Sequence, residues 1–302
     1  MQETKPKIKI WISALRLRTL PLSWAGIIMG SAIAMGENKF NFRIFLWALI
    51  TASLYQILSN LANDYGDGIK GTDVHRVGPQ RGVGSGLISA SSMKKAVWFT
   101  VFLAVISTII LLKIAFKQFN ETMLVYFILG LASVWAAVKY TVGEKAYGYA
   151  GWGDVFVLFF FGLVSVMGVY FLHTHYFNID VILPAFSIGL LSVAVLNINN
   201  LRDLENDKIA GKITLPVRLG RANALKYHRA LLILSFLFWI YFLTKNNFSS
   251  WQWLSLLPYV ILFVKLKNLK TGLPEEYNKM LKKTSLLTFG VSILFFIAVA
   301  VD

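Results

Sequence analysis

Nine long apolar runs constrain this chain more than any other feature. They cover about residues 20–36, 43–63, 94–113, 121–138, 154–173, 179–200, 229–245, 251–266 and 284–301. A helix needs roughly 17–25 residues to cross a hydrocarbon core of about 30 Å. The runs therefore predict an all-α integral membrane protein, with nine transmembrane helices in a single bundle that forms one domain over 1–302. A soluble fold is excluded because 56% of the residues are apolar and 15% charged, too little polar surface to cover a globule. The first run ends in Gly36-Glu37-Asn38-Lys39 and not in a small-residue cleavage site, so it is expected to remain a helix and not to act as a leader.

In a soluble protein the net charge of +15 would suggest a nucleic-acid partner. Here the charges sit in short gaps between apolar runs, where the bilayer explains them better. With a cytoplasmic N-terminus, all of the thirty Lys and Arg except Lys39, Arg43, Lys113, Lys117 and Lys245 fall on the cytoplasmic side. The expected topology is N-terminus inside and C-terminus outside, in the inner (cytoplasmic) cell membrane. The partner is the lipid bilayer, and neither nucleic acid nor an obligate protein partner is expected. There are no cysteines, and the four His lack paired spacing. Any metal must then be held by oxygen.

The carboxylates gather at one membrane face, in expected active-site loops 64–93 and 201–228. Asn60, Asn63/Asp64 and Asp67 fall at i, i+3/i+4 and i+7, and Asn199/Asn200, Asp203 and Asp207 repeat that stripe. The two segments align as Asn60-Leu61, five residues, Asp67-x-Ile69-x-Gly71 against Asn200-Leu201, five residues, Asp207-x-Ile209-x-Gly211, which reads as an internal repeat. Carboxylates at this density repel unless cations neutralise them. Hard divalent ions, Mg²⁺ above all, do so and leave coordination sites for a phosphorylated substrate. Lys70, Arg76, Arg81, Lys139 and Lys212 would meet the remaining phosphate oxygens. An apolar bundle behind a diphosphate site suggests a polyisoprenyl diphosphate. Its allylic cation could be stabilised by the aromatic faces of Tyr65, Tyr140, Tyr147, Tyr149 or Trp152.

Asn63-Asp64-Tyr65-Gly66-Asp67 with Asp73, followed by Asp203 and Asp207 on a nine-helix scaffold, resembles the UbiA-type superfamily of intramembrane aromatic prenyltransferases. The runs 56–68, Lys70-Gly71-Thr72-Asp73 and Arg76-Val77-Gly78-Pro79-Gln80-Arg81 look like its menaquinone-pathway branch, which prenylates 1,4-dihydroxy-2-naphthoate. So do Asn199-Asn200-Leu201-Arg202-Asp203, Gly211-Lys212-x-Thr214-Leu215 and Arg16-Leu17-Arg18-Thr19-Leu20-Pro21. The resemblance implies that Asn63, Asp67, Asp73, Asp203 and Asp207 hold Mg²⁺ and the diphosphate. It also implies that the prenyl group replaces the acceptor's carboxylate with loss of CO₂, giving demethylmenaquinone after oxidation. Asp64 would assist deprotonation of the aromatic acid acceptor, and Asn60, Tyr65, Tyr140 and Arg18 would contact the acceptor or the cation. Two positions depart from the general pattern: Gly71 stands where a third carboxylate is usual, with Asp73 two residues later, and Asn199 replaces the first Asp of the second motif.

Several of these residues admit a plainer reading. Asn60, Asn197 and Asn200 could be interhelical hydrogen-bonding groups, and Lys139 with Tyr140 an interfacial anchor. Asp154 could simply open a helix, and Arg16 and Arg18 could set topology. Three other functions compete. A secondary transporter would carry charged groups within helices 94–113, 229–245 and 284–301, whose interiors have none. A CDP-alcohol phosphotransferase would carry Asp-Gly-x-x-Ala-Arg, whereas Asp67-Gly68 is followed by Ile-Lys-Gly-Thr. Within the superfamily, the competitor is an enzyme for another acceptor, 4-hydroxybenzoate or homogentisate.

Overall fold

A computed structural model describes residues 7–72, 80–246, 248–266 and 273–302. Among them there is no strand, and eight helical stretches are long and apolar enough to cross a membrane. The protein is thus a multi-pass, all-helical membrane protein. The long helices are α2 (Leu20–Gly36), α3 (Phe42–Lys70), α4 (Ala90–Ala115), α5 (Glu121–Lys139), α6 (Gly153–Thr174), α7 (Ile182–Arg202), α9 (Leu215–Lys245) and α11 (Pro274–Val301). Two short helices flank them, α1 (Lys7–Leu15) before α2 and α8 (Leu204–Ile209) after α7. The eighth expected run, 251–266, is the shorter apolar helix α10 (Gln252–Leu266), which opens with a 3₁₀ turn ahead of Pro258.

Side-chain caps fix several starts. Asn41 accepts from the amides of Arg43 and Ile44, Ser89 from Ser92, and Asn120 from Met123, each satisfying donors that have no intrahelical partner. Of the segments expected as loops, 64–93 is helical at its two ends and 201–228 over most of its length. α3 continues to Lys70, α4 begins at Ala90, and residues 215–228 open α9 behind Pro216, which suits a first helical turn. A left-handed Gly220 (φ 73°) kinks α9 near its start.

The repeated motifs end alike. Gly71 (φ 71°) and Gly211 (φ 68°) are both left-handed. Behind them, the amide of Thr72 donates to the Asp67 carbonyl and that of Lys212 to the Asp207 carbonyl, while the Gly amides donate to Gly68 and Lys208. This is the same Schellman closure at both helix ends.

α7 is the buried centre of the bundle, packed on α6, α9 and α11, while α2 packs on α3, α6 and α11, and α3, α4 and α5 pack on one another. Within α6, residues Leu158–Gly168 are wound as a π-helix, a wider turn often found at functional sites. Its contacts are very close: a Cβ on Gly30 would lie 2.3 Å from the Val166 carbonyl oxygen, and one on Gly162 2.6 Å from that of Ala185.

Candidate active site

A cavity of about 400 Å³ runs between α3, α4, α5, α6 and α7. Along α3 it is lined first by Ala48, Thr51 and Ala52, then by Gln56, Ser59, Asn60, Asn63 and Asp67. At 1.5 Å per residue, Ala48 to Asp67 spans about 28 Å, close to a full hydrocarbon core. The cavity therefore has one polar end, where the motifs lie, and an apolar body that includes Leu111, Leu112, Phe160, Val164 and Leu172.

At the polar end, Asn63, Asp67, Asn199, Asp203, Asn206 and Asp207 line one wall system. Their buried carboxylates are balanced by cations. Arg81 Nη2 lies 3.7 Å from Asp67 Oδ2, Lys212 Nζ lies 3.9 Å from Asp207 Oδ1, and Arg202 donates to both oxygens of Asp203 at 2.8 and 2.6 Å. Charge-assisted pairs of this kind make buried carboxylates tolerable. Arg202 also reaches the side-chain oxygens of Asn199 (2.9 Å) and Asn278 (3.0 Å), so it joins the second motif to α11. Sequence reasoning passed over Arg202 in favour of its acidic neighbour. The two motifs meet directly, because Asn206 Nδ2 donates to the Thr72 carbonyl at 3.0 Å.

The donor set suits a hard divalent ion, since every candidate ligand is a carboxylate or amide oxygen. Among the described residues no three acidic or His side chains are gathered closely enough to hold a metal by themselves. The donors are divided between the two stripes, as a bridged metal–diphosphate site requires.

Of the other expected site residues, Asn60 lines the cavity and also donates to the Leu15 carbonyl and Thr19 hydroxyl, both at 3.0 Å, tying α3 to the turn after α1. Arg81, Tyr140 and Lys212 line it as well. Tyr140, Tyr147 and Phe156 form an aromatic wall beside the polar end, with Tyr147 stacked on Phe156 at 4.0 Å and edge-on to Tyr140 at 5.4 Å. Enclosure in this wall, reinforced by nearby acidic groups, pushes the Tyr140 phenol well above 10, so it remains neutral.

Asp64 stands apart. It is 1% exposed and absent from the cavity wall, and its two oxygens accept the Gly82 and Val83 amides at 2.9 Å. In this position it anchors the 80–88 turn that carries Arg81, in place of the expected contact with the acceptor. Tyr65 and Arg18 also lie off the cavity, and Lys139 is exposed. Of Arg16 and Arg18 it is Arg16 that lines the cavity, its backbone left-handed (φ 49°). Lys70 is exposed, with its ammonium 4.0 Å from the Tyr149 ring centre. Trp152 is exposed. Asp154 opens α6 and accepts from Tyr227 at 2.9 Å, and Asn197 joins α7 to the Ala224 carbonyl of α9. Asp73 and Arg76 lie outside the described residues.

Residues 23–298 match the UbiA prenyltransferase family. The chain is 43% identical over 295 residues to the 1,4-dihydroxy-2-naphthoate octaprenyltransferase of Escherichia coli (strain K12), covering 97% of this chain and 96% of that one. It is 41% identical over 297 residues to the protein of the same name from Haemophilus influenzae, covering 96% and 95%. Among solved structures, a UbiA homolog from Archaeoglobus fulgidus bound to GPP and Mg²⁺ has TM-score 0.63 at 16% identity, covering 94% of this chain and 99% of that one. The apo UbiA homolog from Aeropyrum pernix K1 has TM-score 0.65 at 13% identity, covering 96% and 98%. At these identities the two structures share the fold.

Proposed function

The chain belongs to the UbiA prenyltransferase family and is a prenyltransferase; from that premise we propose that it transfers a polyprenyl group from a polyprenyl diphosphate to 1,4-dihydroxy-2-naphthoate, a step of menaquinone biosynthesis. The observation that carries this reading is a cavity with oxygen donors and cations at one end and an apolar body behind them, its whole length along α3 close to the thickness of the bilayer core. The acceptor is inferred from the two relatives that are more than 40% identical over nearly the whole chain.

Asp67, Asp203, Asp207 and Asn63, with Asp73 from outside the described residues, would hold Mg²⁺. When bound, the ion supplies positive charge against the diphosphate as the allylic C–O bond breaks. Arg81 and Lys212, which now offset Asp67 and Asp207, would turn to the phosphate oxygens, joined by Lys70 and Arg76. The Tyr140 and Tyr147 rings would stabilise the allylic cation, while Arg16 and Asn60 face the acceptor. The C–O electron pair leaves with the diphosphate. The ring carbon bearing the carboxylate bonds to the prenyl carbon, and loss of CO₂ returns an electron pair to the ring. Subsequent oxidation gives demethylmenaquinone.

The same proposal includes a single polytopic domain of nine spans with α10 as the eighth, in the cytoplasmic membrane. The polar end of the cavity and the N-terminus would lie inside, and the C-terminus outside. The test is Asp67→Ala and Asp207→Ala. If the repeated carboxylates act on one diphosphate, each variant loses on the order of 10²–10³ in turnover while membrane abundance stays near normal. Near-wild-type turnover in either would refute the two-stripe site.

A further inference from the structure

The segment between α5 and α6 supplies one side chain that touches both repeats without lining the cavity. Tyr149 donates its hydroxyl hydrogen to Asp67 Oδ1 at 2.8 Å, and the Tyr149 hydroxyl oxygen lies 3.2 Å from Thr72 Oγ1. Its ring carries the Lys70 ammonium at 4.0 Å and that of Lys212 at 5.2 Å from the centroid, both within the range of cation–π attraction. Its backbone carbonyl accepts the Ile213 amide at 2.9 Å, which fixes the segment against the end of the second motif.

We infer that Tyr149 is a positioning residue for both halves of the diphosphate site. The hydroxyl fixes the Asp67 carboxylate with Oδ1 occupied and Oδ2 on the Arg81 side, and the ring gathers one lysine from each motif. A metal ligand held by an outer hydrogen bond typically loses 10–100-fold in metal affinity when that bond is removed. The two functions separate by substitution, because Tyr149→Phe removes the hydroxyl and keeps the ring, whereas Tyr149→Leu removes both. The Ile213 bond is made by the main chain and survives either change. This inference rests on the proposed metal–diphosphate site.

The experiment uses the full chain in detergent, with Mn²⁺ as a spin probe titrated by electron paramagnetic resonance in the presence of a slowly reacting prenyl thiodiphosphate. Steady-state kinetics at saturating Mg²⁺ run in parallel. Tyr149→Phe should weaken Mn²⁺ binding by at least about tenfold, with the KM for prenyl diphosphate within about twofold of wild type. Tyr149→Leu should weaken Mn²⁺ binding equally and also raise that KM roughly fivefold, the worth of two cation–π contacts at the weak end of their range. Tyr176→Phe, at the opposite end of α6, should change neither. Unchanged Mn²⁺ binding in Tyr149→Phe overturns the role of the hydroxyl, and identical KM values in the two variants overturn that of the ring. If the wild-type protein itself binds no Mn²⁺ with the thiodiphosphate present, the metal–diphosphate site fails, and this inference with it.

Discussion

Gly66 precedes Asp67 on α3 and faces Thr141, just beyond α5. A Cβ at Gly66 would lie 2.7 Å from Thr141 Oγ1 and 2.9 Å from both its Cβ and its carbonyl carbon. Thr141 cannot swing aside cheaply, because it is fully buried and its hydroxyl donates to the Ala62 carbonyl and the Asn63 amide oxygen, both at 3.1 Å. Non-bonded carbons settle at about 3.5–4.0 Å, so Gly66→Ala demands roughly 0.6–1.1 Å of separation between α3 and this segment. Overpacking costs about 1–3 kcal/mol, and Ala recovers about 0.8–1.0 kcal/mol of helix propensity. The net loss of stability is then only about 0–2 kcal/mol. Catalysis should suffer more, since Asp67 is on one side of the widened gap and Tyr149, its hydrogen-bond partner, on the other. A misplacement near 1 Å can cost on the order of 10²-fold in rate. Gly66→Ala should therefore lower turnover about 10–100-fold, with thermal unfolding in detergent moved by only a few degrees. Gly36→Ala is the control, because its new Cβ would meet Val299 at an ordinary 3.6 Å, and it should keep both properties. Turnover of Gly66→Ala within about twofold of wild type would refute the argument.

Two further predictions follow from the placement of other groups. Asp64→Ala leaves the buried Gly82 amide and the part-buried Val83 amide without their acceptor, at about 1–3 kcal/mol for the buried one. Hydrogen exchange at residues 80–88 should rise, and activity should fall through the displaced Arg81; unchanged exchange there would mean that Asp64 does not anchor the turn. For topology, a reporter fused after Asp302 should be extracytoplasmic and one inserted at residues 210–213 cytoplasmic. A cytoplasmic C-terminus would remove α10 from the count of spans.

Eight membrane-length helices could be read from the sequence as continuous apolar runs and the two acidic stripes from their helical spacing, and the repeated Gly71 and Gly211 mark helix ends that a left-handed residue closes in this way. Asp64 could not be told from Asp67 by spacing, since both follow the same helical stripe. What separates them is a pair of backbone amides at Gly82 and Val83, which carry no residue signature. Arg16 and Arg18 were likewise equivalent until the left-handed turn at Arg16 decided which of them faces the cavity. Residues 215–228 looked like loop because Arg218, Arg221 and Lys226 interrupt the apolar run that marks a membrane helix. The π-helix in α6 was invisible because its hydrogen-bond shift leaves the apolar composition of the segment unchanged. Tyr149 was one of several candidate aromatics, and its distinction comes from contacts with residues far from it in the chain.

The central claim is the identity of the reaction. Membranes containing the protein would be incubated with Mg²⁺, a polyprenyl diphosphate and, in separate reactions, 1,4-dihydroxy-2-naphthoate, 4-hydroxybenzoate and homogentisate, and the products identified by mass spectrometry. The account predicts a prenylated naphthoquinol that has lost the mass of CO₂, appearing only with Mg²⁺ and absent in Asp67→Ala. Prenylation of 4-hydroxybenzoate or homogentisate in preference to the naphthoate, or product formation undiminished by removal of divalent metal, would contradict it.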